Sequence, residues 1–160
     1  RVEAKLAGTY LVKSEYSVPG TTTMTSSLGK FGVNDAVSFR NVITASTTLG
    51  TGNWEHTLSA NYRSGYRDQF YSVDDCVFFS QSTGDCLAGA LDVPEYMTFN
   101  WRTQWKPTKN LTLAVAIDNL FDEAPPLSLR VNGAGHQLGY DPRYASPLGR
   151  TYKLNLNYQF

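Results

Sequence analysis

The feature that most constrains the fold is an alternation of apolar and polar side chains that recurs in six segments. Alternation with a period of two is typical of a β-strand whose two faces meet different surroundings, because successive side chains point to opposite sides. In the fifth segment, Leu113 and Val115 alternate with Thr112 and Ala114. We find no helical periodicity, so the sequence predicts an all-β fold. The six segments are 1–16, 39–49, 54–63, 95–105, 111–121 and 151–160.

The links between these segments alternate strictly between short and long. Gly50–Asn53 and Lys106–Asn110 are short and contain the Gly, Pro and Asn that tight turns require. The other three links span roughly 17–38, 64–94 and 122–147, whereas connections in compact soluble domains are usually about 4–6 residues long. Short turns at one end and long loops at the other are typical of an antiparallel transmembrane β-barrel, with its long loops outside the cell.

Aromatic side chains near the strand ends favour this barrel over a soluble β-sandwich, in which the apolar face would be an ordinary core. Two aromatic girdles are expected where a barrel meets the membrane surfaces, and strands of about 9–11 residues can cross a bilayer at a tilt. The aromatic residues toward the short turns are Trp54, Trp105, Tyr158 and Phe160, and those toward the long links are Tyr10, Tyr16, Tyr62 and Tyr152.

Six strands are too few to close a barrel, because the smallest ordinary one has about eight. An open edge in lipid would leave backbone groups unpaired, so we expect residues outside this sequence, or other chains, to complete the barrel. Residue 1 is Arg, which leads us to expect a removed signal peptide or a fragment. The apolar run from Leu113 to Ile117 is far shorter than the roughly 20 residues of a transmembrane helix.

Charge and cysteine content narrow the function further. The 14 Lys and Arg residues balance the 14 Asp and Glu residues, which gives no electrostatic argument for binding nucleic acid. Cys76 and Cys86 are too far apart for a Cys-x-x-Cys pair and have no nearby His. We predict that they form a disulfide that closes a small loop in an oxidising compartment, with two free thiols as the alternative.

Two stretches of the sequence carry a family resemblance. NLTLAVAIDNLFDEAPPL, residues 110–127, resembles the penultimate strand of TonB-dependent outer-membrane receptors, most specifically at Asn119-Leu120-Phe121-Asp122. GYDPRYASPLGRTYKLNLNYQF, residues 139–160, is similar to the last loop and last strand of that family. Its matching elements are Asp141-Pro142-Arg143, Gly149-Arg150-Thr151-Tyr152 and the terminal Phe160. Residues 39–66 are similar too, though less specifically.

The resemblance implies a barrel of about 22 strands, to which residues 1–160 contribute the last six as its C-terminal portion. It places the plug domain and the TonB-contacting segment outside this sequence. It also implies a Gram-negative outer-membrane location with extracellular long loops, and uptake of a scarce ligand energised by the TonB complex. That ligand would be a ferric siderophore, haem, cobalamin or an oligosaccharide. A soluble or surface β-sandwich binding module is one alternative, and a smaller structural or adhesive outer-membrane barrel is another.

The resemblance further implies that the apolar side of the last strand is the signal read by the barrel-assembly machinery. The same side would contact outer-membrane lipid. The residues concerned are Tyr152, Leu154, Leu156, Tyr158 and Phe160.

No enzyme activity, cofactor or metal site is expected. His56 lies on the apolar face and His136 in a Gly-rich loop, and neither has a specific catalytic neighbourhood. Asp74-Asp75 fits a solvated loop better than a calcium site. Charges on the polar strand faces either form a network against the plug or face water. These charged residues are Glu55, Arg63, Arg102 and Lys153.

The best candidates for ligand contact are aromatic and Arg side chains in the long links. Aromatic faces stack on sugar rings or flat chelates, and Arg binds carboxylate or phosphate. The alternative is that these side chains pack the loops against each other and the barrel mouth. The candidates are Phe70, Tyr71, Phe78, Phe79, Arg130, Tyr140, Arg143 and Tyr144.

Overall fold

The structure, a computed structural model, describes residues 1–32, 36–70, 74, 79–86, 88–129 and 139–160. Within these residues the chain is all-β, and no helix is long and apolar enough to span a membrane. The strands in chain order are β1 (Val2–Tyr10), β2 (Glu15–Tyr16), β3 (Thr25–Ser26), β4 (Asn41–Thr51), β5 (Trp54–Arg63), β6 (Tyr66–Arg67), β7 (Asp92–Val93), β8 (Tyr96–Trp105), β9 (Leu111–Asp118) and β10 (Thr151–Tyr158).

Six long strands form one open antiparallel sheet in the order β1-β4-β5-β8-β9-β10. They correspond to the six predicted segments, so the prediction of antiparallel strands is confirmed. The short turns join β4 to β5 and β8 to β9 at one end of the sheet, and the three long links lie at the other end. Two of the long links contain small two-stranded sheets, β2-β3 and β6-β7.

The strand register gives the main sheet two unlike faces. Residues paired across neighbouring strands lie on the same face. Val115 is paired with Thr103 and Leu154, whereas Ala116 is paired with Arg102 and Lys153. The predicted alternation is therefore confirmed across the six strands. We call the two sides the apolar face, which carries Leu6, Ile43, Leu58, Trp101, Val115 and Leu154, and the polar face, which carries Lys5, Thr44, Ser59, Asn100, Arg102 and Lys153.

Two predicted strand boundaries were wrong at the long-link end of the sheet. The first strand ends at Tyr10, and Tyr16 pairs with Thr25 in the separate β2-β3 sheet. Tyr16 therefore does not belong to an aromatic girdle of the main sheet. The second strand begins at Asn41, and Phe39 instead packs edge-on against Tyr66. A pairing within the first long link at Tyr16, and a contact between two long links at Phe39, override the local alternation.

The fifth strand also ends earlier than predicted, at Asp118, because Asn119 adopts a left-handed backbone conformation with φ 52°. The Asn119 side chain replaces the lost strand bonds: its Nδ2 donates to the Glu123 carbonyl at 2.8 Å, and its Oδ1 accepts from the Glu123 amide at 2.9 Å. The Asn119 amide donates to Oδ1 of Asn100 on β8. Asn tolerates this backbone conformation better than most residues. The residue that supplies the side-chain hydrogen bonds is therefore also one that can adopt the backbone turn.

Asp122 ties this turn to the start of the last strand. Its Oδ1 accepts from the Arg150 amide at 2.7 Å. Gly149 has φ +62°, and a Cβ there would lie 2.7 Å from the same oxygen. Glycine is therefore favoured at this position, because a side chain would be strained at this φ and would press against the Asp122 carboxylate. The Asn119, Asp122, Gly149 and Arg150 contacts form what we call the β9–β10 clasp, which joins two of the motifs that carry the family resemblance.

We expect Asn119→Ala to lower the free energy of unfolding by about 2 kcal/mol, because two buried hydrogen bonds are lost and alanine is strained at this φ. Asn119→Gly relieves the backbone strain but also loses the side chain. Urea titration of the intact protein should therefore rank wild type above Asn119→Gly and Asn119→Ala lowest. An alanine variant as stable as wild type would show that the Asn119 contacts of the clasp do not stabilise the fold.

The buried part of the chain does not lie beneath the apolar face. Among the described residues, the buried apolar side chains are Tyr66, Val93, Ala114 and Ala145. Ala114 lies on the polar face, and the others lie in β6, β7 and the last link. On the apolar face, Leu58 is 45% exposed and Met97 is 41% exposed, although both belong to inner strands. The described residues thus leave this face uncovered.

Candidate functional site

The three long links meet at one aromatic cluster beyond the end of the sheet. The Tyr144 ring packs edge-on against Phe39 at 4.8 Å and near Tyr66 at 6.4 Å, measured between ring centroids. Its hydroxyl accepts a hydrogen bond from the Val37 amide at 3.0 Å. Phe39 precedes β4, Tyr66 follows β5 and Tyr144 precedes β10, so one ring joins links that are far apart in sequence.

Two arginines complete this cluster. Arg63, at the end of β5, donates to the Tyr144 carbonyl and lies 5.9 Å from the centre of its ring. Arg143 donates from Nε and Nη2 to the two carboxylate oxygens of Asp141, at 2.9 and 2.6 Å. The Arg143 guanidinium also lies over the rings of Tyr144 and Phe31, at 4.8 and 5.8 Å. The last link is therefore held by stacked cations as well as by packing.

Asp68 holds a further segment of the last link in place. Its Oδ2 accepts from the Ser128 hydroxyl at 2.9 Å and from the Leu129 amide at 2.8 Å, while its Oδ1 accepts from the Gln69 amide. Asp68 is only 5% exposed and Ser128 only 1% exposed. Three donors compensate for the burial of this carboxylate, as a buried charge requires.

Burial raises the pKa of the Tyr66 phenol to about 12, with further support from the nearby charges of Asp68 and Asp141. A hydrogen bond with Ser128 acts in the opposite direction but is outweighed. Tyr66 therefore stays protonated at a pH where an ordinary tyrosine has ionised.

This shift predicts an alkaline loss of stability. Because the folded pKa lies above the unfolded value, Tyr66 contributes stability fully below about pH 10 and loses it as the pH rises toward about 12. Urea midpoints measured at about pH 9 and 11 should fall further for wild type than for Tyr66→Phe, which has no phenol to ionise. An equal fall in the two proteins would show that Tyr66 does not titrate as stated.

A cavity of about 610 Å³ lies between the polar face and the last link. Its sheet side is rich in hydroxyl and amide groups, while Tyr144, Ser146, Leu148 and Gly149 contribute to the lining from the segment before β10. Lys153 forms an ion pair with Asp118 on its wall. The residues on the sheet side include Thr44, Asn61, Arg63, Tyr96, Thr98 and Asn100.

A second cavity, of about 520 Å³, lies where the first two long links meet. We call it the outer cavity. Three aromatic side chains, two cations and Gln69 contribute to its lining, and none of these six residues lines the polar-face cavity. The aromatic residues are Tyr16, Phe31 and Phe70, and the cations are Lys30 and Arg67.

The eight candidate ligand contacts are not brought together in one place. Phe70 lines the outer cavity and is 67% exposed, whereas Phe79 is exposed elsewhere and pairs with Cys86 in an isolated bridge. Arg143 and Tyr144 make the loop-packing contacts described above, which favours the packing alternative for these two residues. Tyr140 is half-buried beside Gly139 in the last link. Tyr71, Phe78 and Arg130 lie outside the described residues.

Only one of the two cysteines in the predicted disulfide lies within the described residues. Cys86 is disulfide-bonded, and it follows a tight turn in which the Ser80 amide donates to the Asp85 carbonyl at 2.8 Å. Cys76 lies outside the described residues. The pairing of Cys76 with Cys86 therefore stays a prediction.

His56 lies on the apolar face near the short turns, as the sequence pattern places it. Its ring stacks with Trp54 and Trp101, and its Nδ1 hydrogen-bonds with the Thr103 hydroxyl at 2.8 Å. Trp54 in turn stacks on Trp105 at 5.4 Å. His136 lies outside the described residues, and in the part that is described no group of three or more His, Cys, Asp and Glu side chains could hold a metal ion.

Several residues that build this end of the molecule were missed by sequence reasoning. They make contacts over long sequence separations, such as the 60 residues between Asp68 and Ser128, and a single sequence carries no signal of such pairs. Asp141-Pro142-Arg143 is the exception, because its carboxylate and guanidinium lie two residues apart. The missed residues are Lys30, Phe31, Phe39, Tyr66, Arg67, Asp68 and Ser128.

Comparison with known proteins identified no relative of this chain. A scan against protein-family models, a search of curated proteins and a search of solved structures each found no match to this chain.

Proposed function

We propose that this chain is the C-terminal wall of an outer-membrane barrel, and that the complete protein is a TonB-dependent receptor that takes up a scarce ligand. The observation that carries the proposal is the uncovered apolar face. Leu58 and Met97 lie on inner strands of the main sheet, yet both are more than 40% exposed. A soluble protein rarely exposes an apolar surface that extends over a whole sheet, whereas a barrel wall turns such a surface to lipid.

The dimensions of the sheet support this orientation. Its strands contain 8 to 11 residues, and β1, β4, β5 and β8 fall within the range of about 9–11 residues that crosses a bilayer at a tilt. Aromatic residues border both ends of the apolar face, with Trp54 and Trp105 beside the short turns and Tyr10 and Tyr62 beside the long links. Such borders fit the two membrane surfaces.

The free edges of the sheet support a larger barrel. Within the described chain, β1 pairs only with β4 and β10 only with β9. Leu6 on β1 and Leu154 on β10 are each 78% exposed. Long, apolar edge strands are prone to pair with other strands, and in lipid the pairing is obligatory. Further strands of a barrel of about 22 would satisfy both edges.

The proposal that the complete protein is a transporter rests on the resemblance at residues 110–127 and 139–160. The β9–β10 clasp supports it, because Asp122 of the first matched motif accepts a hydrogen bond from the Arg150 amide of the second, and a Cβ at Gly149 would meet the same carboxylate oxygen. The long links would then face outside the cell and the polar face would line the lumen. The N-terminal plug and the segment that contacts TonB belong to the rest of the receptor.

The test uses the full-length protein in its own cells. We expect it in the outer-membrane fraction, and we expect radiolabelled ligand uptake that stops when the TonB complex is deleted or the proton gradient is collapsed. Recovery of the full-length protein in a soluble fraction would favour the β-sandwich alternative. An outer-membrane barrel without TonB-dependent uptake of any of the four ligand classes would favour a structural or adhesive role.

A further inference from the structure

The apolar face carries a row of four nearly parallel rings at the short-turn end of β5 and β8. Trp54 stacks on Trp105 at 5.4 Å and on His56 at 5.9 Å, measured between ring centroids. His56 stacks in turn on Trp101 at 6.2 Å. Neighbouring rings are inclined to each other by 5° to 16°. We call these four side chains the aromatic row, a surface that its own ring contacts hold in place.

The strand register orders this surface by distance from the short turns. Successive levels are two residues apart along a strand, which is about 6–7 Å before any tilt. The surface passes from indole rings at the rim, through an imidazole and a hydroxyl, to the aliphatic side chain of Leu58. The three paired levels, from the short turns inward, are Trp54 with Trp105, His56 with Thr103, and Leu58 with Trp101.

Polar nitrogens at the two outer levels have no hydrogen-bond partner in the described chain. His56 uses Nδ1 for the Thr103 hydroxyl, and its Nε2 bonds to no described residue. The indole N–H groups of Trp54 and Trp105 bond to none either. Among these, the His56 and Trp105 nitrogens are open at the surface, because no buried nitrogen of a half-buried described side chain lacks a partner. Indole N–H groups at a membrane surface require an acceptor, which must come from outside the described chain.

Two lysines flank the outermost level of the aromatic row. Lys106 follows Trp105 directly, and its amide donates to the Asn53 carbonyl at 2.9 Å, which holds it beside Trp54. Lys109 lies in the same short turn, and both lysines are exposed. Neither forms an ion pair with a carboxylate that the structure describes. Both side chains are long enough to place an ammonium at the level of lipid headgroups.

The carboxylates of the short-turn end do not neutralise these lysines. Glu55 lies on the polar face, where it is paired with Gln104. Glu55 and Lys106 border the same small cavity, but no ion pair joins them. Even with Glu55 counted, the two lysines outnumber it, and the two short turns contain no acidic residue. The charge at this end of the aromatic row therefore favours an anionic partner.

We propose that the aromatic row and the adjoining turn bind one anionic glycerophospholipid. The inference rests on the proposed barrel and names a specific lipid partner for its periplasmic leaflet. Lys106 and Lys109 contact the charged headgroup, and the N–H groups of Trp54 and Trp105 donate to the phosphate. A basic pocket beside a membrane surface suits this class of lipid, whereas an aromatic girdle alone has no preference for headgroup charge.

The deeper levels of the aromatic row match the rest of such a lipid. When the Thr103 hydroxyl donates to Nδ1 of His56, Nε2 carries the ring proton and donates outward. Its target is an ester carbonyl, one level below the phosphate. The acyl chains then lie along Leu58 and Trp101. The order of charge, phosphate, ester and hydrocarbon in a glycerophospholipid thus follows the order of lysine, indole, imidazole and aliphatic groups on the sheet.

The test measures lipid binding to the full-length receptor in dodecyl maltoside micelles, whose headgroups carry neither charge nor phosphate. The probe is phosphatidylglycerol with a photoactivatable diazirine near the ester end of one acyl chain. Phosphatidylcholine with the same diazirine has the phosphate but no net charge. Labelling of β5 and β8 peptides is measured by mass spectrometry as the lipid fraction rises. We expect half-maximal labelling at a phosphatidylglycerol fraction about five- to twentyfold below that for phosphatidylcholine, since each lysine contributes about fivefold.

Three double variants separate the contributions to binding. Lys106→Gln with Lys109→Gln should bring the two lipids within about twofold of each other. Trp54→Phe with Trp105→Phe keeps both rings but removes the N–H donors, so both lipids should bind about three- to tenfold more weakly while their ratio stays the same. Lys13→Gln with Lys30→Gln removes the same charge at the long-link end and should change neither lipid. Each variant is first checked for the fast gel migration of a folded barrel before heating.

The inference is overturned if the two lipids label β5 and β8 equally in wild type, or if the Lys106, Lys109 variant keeps the full preference. An equal loss of preference in the Lys13, Lys30 variant would also overturn it, because the attraction would then not be local. Cell experiments separate these failures from failure of the proposed function. TonB-dependent uptake by a receptor without the lipid preference removes only the lipid site, whereas a full-length protein that is soluble without detergent removes the barrel itself.

Discussion

Replacing Val115 with lysine should destabilise the barrel that we propose by about 2–4 kcal/mol, the cost of a lysine facing lipid near the bilayer midplane. Val115 lies in the middle of β9 and is paired with Thr103 and Leu154 on the apolar face. Of these two strand partners, only Thr103 has a polar side chain, and its single hydroxyl is the one group that could accept a hydrogen bond from the new ammonium. The measurement is urea unfolding of the full-length protein in lipid vesicles.

Asn155→Lys is the matched control for Val115→Lys. Asn155 is paired with Ala114, one position from Val115, but it lies on the polar face. A lysine there faces the lumen in our account, so its cost should stay within about 0.5 kcal/mol. Equal costs at the two positions would contradict the assignment of the apolar face to lipid.

Replacing Tyr144 with alanine should release the long links from one another while leaving the main sheet intact. The variant loses the ring contacts with Phe39 and Tyr66, the contact with the Val37 amide and the stacking of Arg143. Loss of a packed aromatic side chain costs about 3 kcal/mol, which corresponds to roughly hundredfold faster local opening.

Amide hydrogen exchange can localise this effect of Tyr144→Ala. The Phe31 and Arg67 amides, which bond between two links, should exchange faster, whereas strand amides of β5 and β8 should not change. Tyr144→Phe is the control, because it keeps the ring and removes only the hydroxyl that accepts from Val37. Its cost should be about 1 kcal/mol. If the two variants exchange alike, ring packing does not hold the links together.

The six strands and their two faces could be predicted because they depend on local information. Alternation at Leu113 and Val115 against Thr112 and Ala114 reports a face directly, since the side-chain period of a strand is two. The same rule failed at Tyr16 and Phe39, where local alternation continues but the chain leaves the main sheet. Tyr16 pairs within the first long link, and Phe39 contacts the second. Strand ends are therefore decided by partners that the local pattern does not contain.

The candidate site could be predicted only in part, for a related physical reason. Exposed loop aromatics such as Phe70 can be recognised by residue type, and Phe70 lines the outer cavity; its contact with a ligand stays a prediction. The neighbouring pair of Lys30 and Arg67 could not be found, because the two residues are 37 positions apart and are joined by backbone bonds between two long links. Tyr144 shows that residue type alone is not sufficient, since this loop aromatic serves mainly to pack the long links together.

The central claim, that the apolar face contacts lipid, is tested most directly by spin labels on neighbouring residues of an inner strand. Leu58 and Ser59 lie in the middle of β5 and on opposite faces. Leu58→Cys and Ser59→Cys are each made in full-length protein whose Cys76 and Cys86 are replaced by serine, labelled and placed in lipid vesicles. Our account predicts that oxygen dissolved in the lipid relaxes the label at position 58 most strongly, and that a water-soluble nickel chelate relaxes the label at 59 more than the label at 58. A label at position 58 that the nickel chelate reaches as readily as the label at 59 would contradict the account.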